Sequence, residues 1–146
     1  MKVAVPTDNE LLFYHANPIT APKFSIYHID GDYLNLTFSL VDIVINPWIV
    51  ANKGVFDEEQ INCRCDEEEC FDIRHISEHY ALLEVIGECD YMLADGYCKN
   101  TLNTLAKAGI KIFKIPSIIR KIDYAIKNFI LGASLADNVK HVHYAS

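Results

Sequence analysis

The sequence predicts a single α/β domain, residues 1–146, built on a mixed sheet of about five strands. The second half alternates helical patterns with short apolar strands, which indicates parallel strands connected by helices that cover the faces of the sheet. The first half carries three strand-like runs, and a turn signal between two of them indicates an antiparallel pair. With 146 residues, of which 51% are hydrophobic, the chain is long enough to bury one core without disulfides.

Three strands are expected in the first half. Residues 2–5 form an apolar run that stops at Pro6, and KFSIYHI, which starts at Lys23, alternates as a strand does. The turn signal DGD follows, and YLNLTFSLVDIVI is the long partner strand, which ends at Asn46 and Pro47. These runs are expected to form the part of the sheet that contains antiparallel pairs.

The second half is expected to run helix, strand, helix, strand, helix. The first helix begins near Ile73, and the apolar strand YMLA follows it. The segment DGYC ends that strand, and a second helix follows it. Gly109 fits the left-handed position at the end of this helix, and IKIFKI is the next strand. The last helix is expected to end near residue 130, and the polar tail 131–146, which contains HVHY, is expected to be a short edge strand or disordered.

The expected helices have apolar positions at helical spacing. In the first helix, Ile76, Tyr80, Leu83 and Gly87 are placed on one face, with Leu82 and Ile86 alongside. The corresponding positions are Leu102, Leu105 and Ala106 in the second helix, and Ile119, Ile122, Ala125, Ile126, Phe129 and Ile130 in the third.

Residues 57–72 carry the whole formal net charge of −7. This segment holds eight acids and one base, Arg64, whereas the rest of the chain holds twelve acids and twelve bases. No predicted element carries a basic stripe, which argues against a nucleic-acid partner. The N-terminal apolar run is too short for a signal-peptide core or a membrane span. We therefore expect a cytoplasmic protein with no membrane partner, whose five cysteines are thiols or metal ligands rather than disulfides.

A cluster of thiols and imidazoles lies in and after this acidic segment. Its spacing is C-x-C-x4-C-x4-H-x3-H, formed by Cys63, Cys65, Cys70, His75 and His79. The two histidines are four residues apart on the expected helix and so share a face. Thiolates with imidazoles suit zinc or an iron–sulfur cluster, so all five residues are candidate metal ligands. The alternative is a solvated acidic loop with reduced thiols, in which His79 is partly buried against the apolar face of the helix.

Four segments, taken in order, resemble the dinitrogenase iron–molybdenum cofactor biosynthesis family: MKVAVPTD, APKFSIYHID, the Asn46-Pro47 pair, and CDYMLADGYCKNTLNTLAKAGIKIFKI. The resemblance covers most of residues 1–130 and is interrupted by residues 48–72, which form a Cys- and acid-rich insertion. It implies a ribonuclease H-like α/β fold. It also implies a non-catalytic role like that of nitrogen-fixation cofactor proteins: holding or delivering an iron–sulfur or iron–molybdenum cluster, with a cluster-assembly protein as partner.

The chain departs from the family pattern at two places. Aligned on APK, the His-Phe-Gly positions of the family fall on residues 17–19, and His15 stands two residues before them. The glycine-rich Gly-Gly-x-Gly-Pro loop becomes DGYCK, which loses the glycines that a tight anion-binding backbone needs. It gains Cys98, however, and a thiolate at this edge is a plausible cluster ligand. Cys98, Gly96 and His15 are therefore the candidate cofactor-binding residues, whereas Cys89 is expected to fill the core.

Three hypotheses for function follow. The first is a non-catalytic carrier of an iron–sulfur or iron–molybdenum-type cluster or of a metal. The second is a protein-interaction module whose zinc-ordered acidic loop is docked by a basic partner, and the third is a thiol redox protein. No nucleotide-binding, hydrolase or metalloprotease signature is present, and no basic groove accompanies the strand-end acids that a nuclease would use. We therefore do not expect an enzyme.

Overall fold

The computed structural model describes residues 1–31, 35–46 and 73–145, with side chains except those of residues 73–78 and 134–145. The expected insertion, residues 48–72, therefore lies outside the described residues. Within them are five strands and three α-helices. These are β1 (Lys2–Thr7), β2 (Lys23–Asp30), β3 (Thr37–Ile45), α1 (Ile73–Ile86), β4 (Tyr91–Ala94), α2 (Lys99–Lys107), β5 (Lys111–Lys114) and α3 (Ile122–Ala145), and a 3-10 turn, Pro18–Thr20, precedes β2.

The five strands form one mixed sheet in the order β3-β2-β1-β4-β5. β2 pairs antiparallel with β3, as the turn signal predicted, and β1 pairs antiparallel with β2. β1 pairs parallel with β4, and β4 pairs parallel with β5, to which it is connected by α2. The predicted fold class, an α/β domain with a mixed sheet of about five strands, is confirmed, and the arrangement is consistent with a ribonuclease H-like fold.

Helices cover both faces of the sheet. Alternating side chains of β1 point to opposite faces, so that Val3 and Val5 enter one core cluster and Ala4 enters the other. α3 packs on the Val3 side with Ile122, Ala125, Ile126 and Phe129. α1 and α2 pack on the Ala4 side with Leu82, Ile86 and Leu105.

The buried face of α1 differs from the predicted one. Tyr80 was placed on that face but is 39% exposed, and Gly87 lies beyond the helix in a left-handed conformation, with its N–H bonded to Leu83 O. The residues that face the core are His79, Leu82 and Ile86, which lie three and four positions apart on one side of a helix. The predicted face omitted His79, which the alternative interpretation had placed against it, and the structure buries His79 there with a partner. The buried face of α2 also differs from the predicted one, because two threonines accompany Leu105 in the core whereas Leu102 is exposed.

α3 continues through the segment that was expected to be an edge strand or disordered. It runs from Ile122 to Ala145, and Ile119 lies before it. No proline interrupts residues 131–145, which include alanines and leucines that favour helix. Gly132 lies where a Cβ would come within 2.5 Å of the Phe113 ring, so its lack of a side chain permits close contact between α3 and β5. Among the described residues, no helix combines the length and the apolar character needed to cross a membrane.

Candidate functional site

The candidate site lies at the edge of the sheet where β1 and β4 end. These strands are parallel neighbours, so the segments that follow them meet at the same edge. The backbone N–H of Gly96 donates to His15 O at 3.1 Å, which joins the segment after β4 to the segment after β1. Gly96 packs against the same carbonyl: a Cβ here would lie 3.4 Å from His15 O. Gly96, His15 and Cys98 are thus placed at the edge where the sequence had put them.

Cys98 is the N-terminal cap of α2. Its backbone is extended, with φ −90° and ψ 166°, and its Sγ accepts a hydrogen bond from Thr101 N at 3.3 Å. The thiol therefore satisfies one of the amide groups that the first turn of a helix leaves without a partner. Cys98 is only 4% exposed, so its sulfur is directed into the protein rather than into solvent.

His79 approaches Cys98 from α1. The distance between His79 Nε2 and Cys98 Sγ is 3.3 Å, and His79 is 1% exposed. A neutral thiol donates its S–H to an unprotonated Nε2, and a thiolate accepts an N–H from the ring, so the contact is favourable in either state. Burial of a polar histidine on the apolar side of α1 is accounted for by this partner.

Two further polar side chains complete the cluster. Thr101 Oγ1 lies 3.0 Å from Cys98 Sγ and donates a hydrogen bond to Asn17 Oδ1 at 2.9 Å. Asn17 caps the 3-10 turn with its backbone, since Thr20 N donates to Asn17 O at 2.9 Å. Asn17 Nδ2 is buried and has no hydrogen-bond partner within the described part of the chain. We call Cys98, His79, Thr101 and Asn17 the thiol cluster.

The thiol cluster stabilises the charged form of Cys98. Burial raises the pKa of the thiol, but hydrogen bonds from His79 and from the Thr101 hydroxyl and backbone N–H outweigh burial and lower the pKa from 9.0 to about 7. The Thr101 hydroxyl proton serves only one acceptor at a time, Asn17 Oδ1 or the thiolate. The sulfur is therefore substantially ionised near neutral pH, which is the form that binds metals.

His15 belongs to a neighbouring group rather than to the thiol cluster. Its Nδ1 lies 2.9 Å from Asp95 Oδ2, its ring contacts Phe13 edge-on, and Lys114 Nζ is 3.1 Å from Asp95 Oδ1. Burial opposes ionisation of Asp95, but hydrogen bonds from Ser117, Lys114 and His15 keep the pKa of its carboxyl below the ordinary value. With Nδ1 engaged by Asp95, His15 Nε2 is buried without a hydrogen-bond partner among the described residues.

The structure brings together two of the predicted ligands, Cys98 and His79, which the sequence had assigned to different sites. No group of three or more His, Cys, Asp or Glu side chains that could hold a metal ion occurs among the described residues. His75 lies in α1, but its side chain is not described, and Cys63, Cys65 and Cys70 lie outside the described residues.

Sequence reasoning missed Asn17 and Thr101. Thr101 had no sequence signal, because Cys98 and Thr101 do not form the Ser/Thr-x-x-Glu/Gln pattern that marks a helix start. Asn17 had none either, because its contact with Thr101 joins residues 84 positions apart. The expectation for Cys89 is confirmed: it is buried in the core cluster with α1 and α2.

Comparison with known proteins adds the following. No family model matches the chain, and no curated protein matches it. A solved structure titled "Crystal structure of PH0822" is similar with a TM-score of 0.48 and 16% sequence identity, over 90% of this chain and 92% of that chain.

Proposed function

We propose that this protein is a non-catalytic binding or carrier protein for a metal species, either an iron–sulfur or iron–molybdenum-type cluster or a metal ion such as zinc. The observation that carries the proposal is the buried contact of 3.3 Å between Cys98 Sγ and His79 Nε2. Thiolate and imidazole are the ligands that zinc and iron–sulfur centres prefer, and here one comes from each of two separate elements, α1 and the start of α2.

The state of the thiol supports this proposal. A metal competes with a proton for the sulfur, so a thiol with a pKa of about 7 binds metal at neutral pH at a smaller cost than an ordinary cysteine. Both described cysteines, Cys89 and Cys98, are free, which fits the reducing cytoplasmic location that we propose.

Further ligands are available nearby along the chain. Cys70 precedes the first residue of α1 by three positions, and His75 lies four positions before His79. Cys63 and Cys65 complete the set of candidates in the acidic segment, whose carboxylates would attract a cation. We propose that some of these residues complete the coordination that Cys98 and His79 begin, and that a cluster-assembly protein is the partner.

Metal analysis of anaerobically purified protein tests the proposal. We expect bound iron with sulfide, or bound zinc, in the parent protein and its loss when Cys98→Ser and His79→Gln are combined. Cys89→Ser is the matched control, because it removes an equally buried thiol that has no imidazole partner. Parent protein that holds no metal after purification, and takes up none from Fe²⁺ with sulfide or from Zn²⁺, would contradict the proposal.

Thiol chemistry at Cys98 is the second candidate. An imidazole beside a thiol is also the arrangement that activates nucleophilic cysteines, and the contact with His79 has that form. The burial of the sulfur favours metal binding over reaction with a large substrate. Rapid alkylation of native Cys98 by iodoacetamide, with no metal uptake, would favour this second candidate.

A further inference from the structure

We propose that an apolar face at one edge of the sheet, which we call the β3 face, is the contact surface between two copies of this chain. The β3 face lies on the same side of the sheet as α3, around a groove between β3 and the start of α3. Its members are large aliphatic side chains that remain 41–61% exposed: Leu11, Leu40, Ile43 and Ile45. The β3 face is separate from the thiol cluster, and this inference does not rest on the proposed function.

A β-bulge places these aliphatic side chains on one face. β3 pairs with β2, and the register of this pairing shifts by one residue between Leu40 and Ile43. In a regular strand, residues three positions apart point to opposite faces of the sheet. The extra residue of the bulge instead brings Leu40 and Ile43 to the same face, where both line the groove beside Ile122 of α3. Ile45 follows Ile43 by two positions and therefore shares that face.

α3 leaves the β3 face uncovered. Five strands about 4.8 Å apart form a sheet about 24 Å wide, whereas one helix is about 10 Å across. α1 and α2 share the opposite face, but among the described residues α3 is the only α-helix on this one. A groove of about 260 Å³ therefore remains beside α3, lined by Leu40 and Ile43 of β3 and by Tyr27 of β2.

A strained turn presents Leu11 beside the same groove. Leu11 has a φ of 64°, in the left-handed region that leucine rarely adopts. Asp8 braces this turn. Its Oδ1 accepts hydrogen bonds from Glu10 N and Leu12 N at 2.9 Å, and its carbonyl oxygen accepts one from Leu11 N at 3.1 Å. The turn thus holds a half-exposed leucine at the groove at a cost in backbone strain, which is typical of residues that serve binding rather than folding.

The charge of the β3 face favours a second copy over a charged partner. The one charged residue of β3, Asp42, lies opposite Ile26 and so faces the other side of the sheet. Lys121 and Asp123 at the groove carry opposite charges, which leaves the groove with no net charge. The partner must therefore present an uncharged aliphatic surface. A twofold axis supplies one, because it brings the β3 faces of both copies together.

The size of the β3 face fits a weak dimer. From Leu40 to Ile45 the strand spans about 20 Å, and about 14 Å of the width of the sheet is left beside α3, so each copy offers about 300 Å². Since apolar atoms form about 65% of a homodimer interface, two such faces correspond to a total buried area of about 900 Å². Specific interfaces start near 1,000 Å², that is, at about this size. We therefore expect a reversible, concentration-dependent dimer.

Sedimentation equilibrium of the full chain tests the inference. In about 0.15 M salt, which screens charges more than about 8 Å apart, we expect the parent to exchange between monomer and dimer as its concentration changes. Leu40→Lys combined with Ile43→Lys should weaken the dimer by about 100-fold or more, because lysines of the two copies would face each other. Ile118→Lys combined with Leu131→Lys is the matched control. These two residues are 87% and 59% exposed but lie outside the β3 face, so this variant should dimerise as the parent does.

Leu11→Gly distinguishes a contact from an effect on the fold. Glycine adopts a positive φ without strain, so this variant should unfold at about the same temperature as the parent. It should nevertheless weaken the dimer by about tenfold, because an interface leucine is lost. A parent that remains monomeric at all concentrations overturns the inference, as does a dimer that forms equally well with Leu40→Lys and Ile43→Lys. Neither result affects the proposed function, since metal content should be the same in the parent and in that variant.

Discussion

Two buried cysteines lie at opposite ends of β4 and behave in opposite ways. Cys89 precedes the strand and Cys98 follows it, and they are 8% and 4% exposed. Burial raises the pKa of both thiols, yet that of Cys89 reaches about 11 whereas that of Cys98 falls to about 7. The hydrogen-bond partners of the sulfur, rather than the degree of burial, therefore determine its charge.

The partners differ in kind. Cys89 Sγ donates to the backbone carbonyl of Ile86 at 3.4 Å, an acceptor that stabilises the neutral thiol. Cys98 Sγ instead meets a backbone N–H at the start of a helix and an imidazole, both of which can donate to a thiolate. The end of the sheet where β4 starts thus keeps its cysteine inert, and the end where β4 stops holds a cysteine suited to bind a metal.

The largest expected effect is the difference between the pKa values of the Cys89 and Cys98 thiols. In metal-free protein with Cys63→Ser, Cys65→Ser and Cys70→Ser, only Cys89 and Cys98 remain. Ultraviolet absorption of the thiolate, taken as the difference from a variant that also carries Cys89→Ser and Cys98→Ser so that the eight tyrosines cancel, should rise in two steps, near pH 7 and near pH 11. Adding Cys98→Ser should remove the first step and adding Cys89→Ser the second. A single step near pH 9 for both thiols would show that Cys89 and Cys98 do not differ in pKa.

Removal of the imidazole of His79 should make the pKa values of the two cysteines more similar. In the same background, His79→Gln should raise the pKa of Cys98 toward the ordinary value of 9.0, because the hydrogen bond from His79 lowers that pKa more than any other contact does. The control is His15→Gln at the same edge of the sheet, which alters a histidine that pairs with Asp95 and should leave the thiol step in place. An equal shift in both variants would mean that His79 acts only through the general charge of this edge.

The sequence predicts the sheet but not the side chains that contact Cys98. The five strands and the antiparallel pairing of β2 with β3 follow from local apolar patterns and a turn signal, so the mixed sheet of about five strands was predicted correctly, whereas the order of its strands was not predicted. The partners of Cys98 were not predicted either, because His79 comes from another element and the Thr101–Asn17 bond joins the two halves of the chain. Such pairs are fixed by how the helices pack on the sheet, which no local pattern records.

The pH dependence of the unfolding free energy should have opposite signs for Cys98 and Cys89, which lie at the two ends of β4. The folded pKa of Cys98 is lowered, so its thiolate stabilises the protein above about pH 9, and that contribution is lost as the pH falls through about 7. The folded pKa of Cys89 is raised, so its contribution is present below about pH 9 and is lost as the pH rises through about 11. Each folded pKa lies about 2 from the ordinary value of 9.0, which corresponds to on the order of 2–3 kcal/mol in unfolding free energy.

Urea unfolding of metal-free protein across this range measures both contributions. Relative to the parent, Cys98→Ser should lose the rise in unfolding free energy between about pH 7 and 9, and Cys89→Ser should lose the fall between about pH 9 and 11. Serine does not ionise in this range, so the change in slope is the relevant quantity, and any constant offset reflects packing. Identical slopes in the parent and either variant would show that the thiol concerned has the same pKa folded and unfolded.

The smallest expected effect concerns the two aspartates that flank β4. Asp95, which is 13% exposed on its side chain, accepts hydrogen bonds from His15, Lys114 and Ser117, whereas Asp90 is exposed and accepts one from Lys2 N at 2.9 Å. Asp95→Asn should therefore lower the unfolding free energy by about 1–2 kcal/mol and Asp90→Asn by less than about 1 kcal/mol. The lowered pKa of Asp95 sets a second criterion: its contribution, present at neutral pH, should be lost as the pH falls below the ordinary range of a carboxyl group. Equal losses for the two variants would mean that the additional hydrogen bonds of Asp95 do not stabilise the fold more than the single one of Asp90.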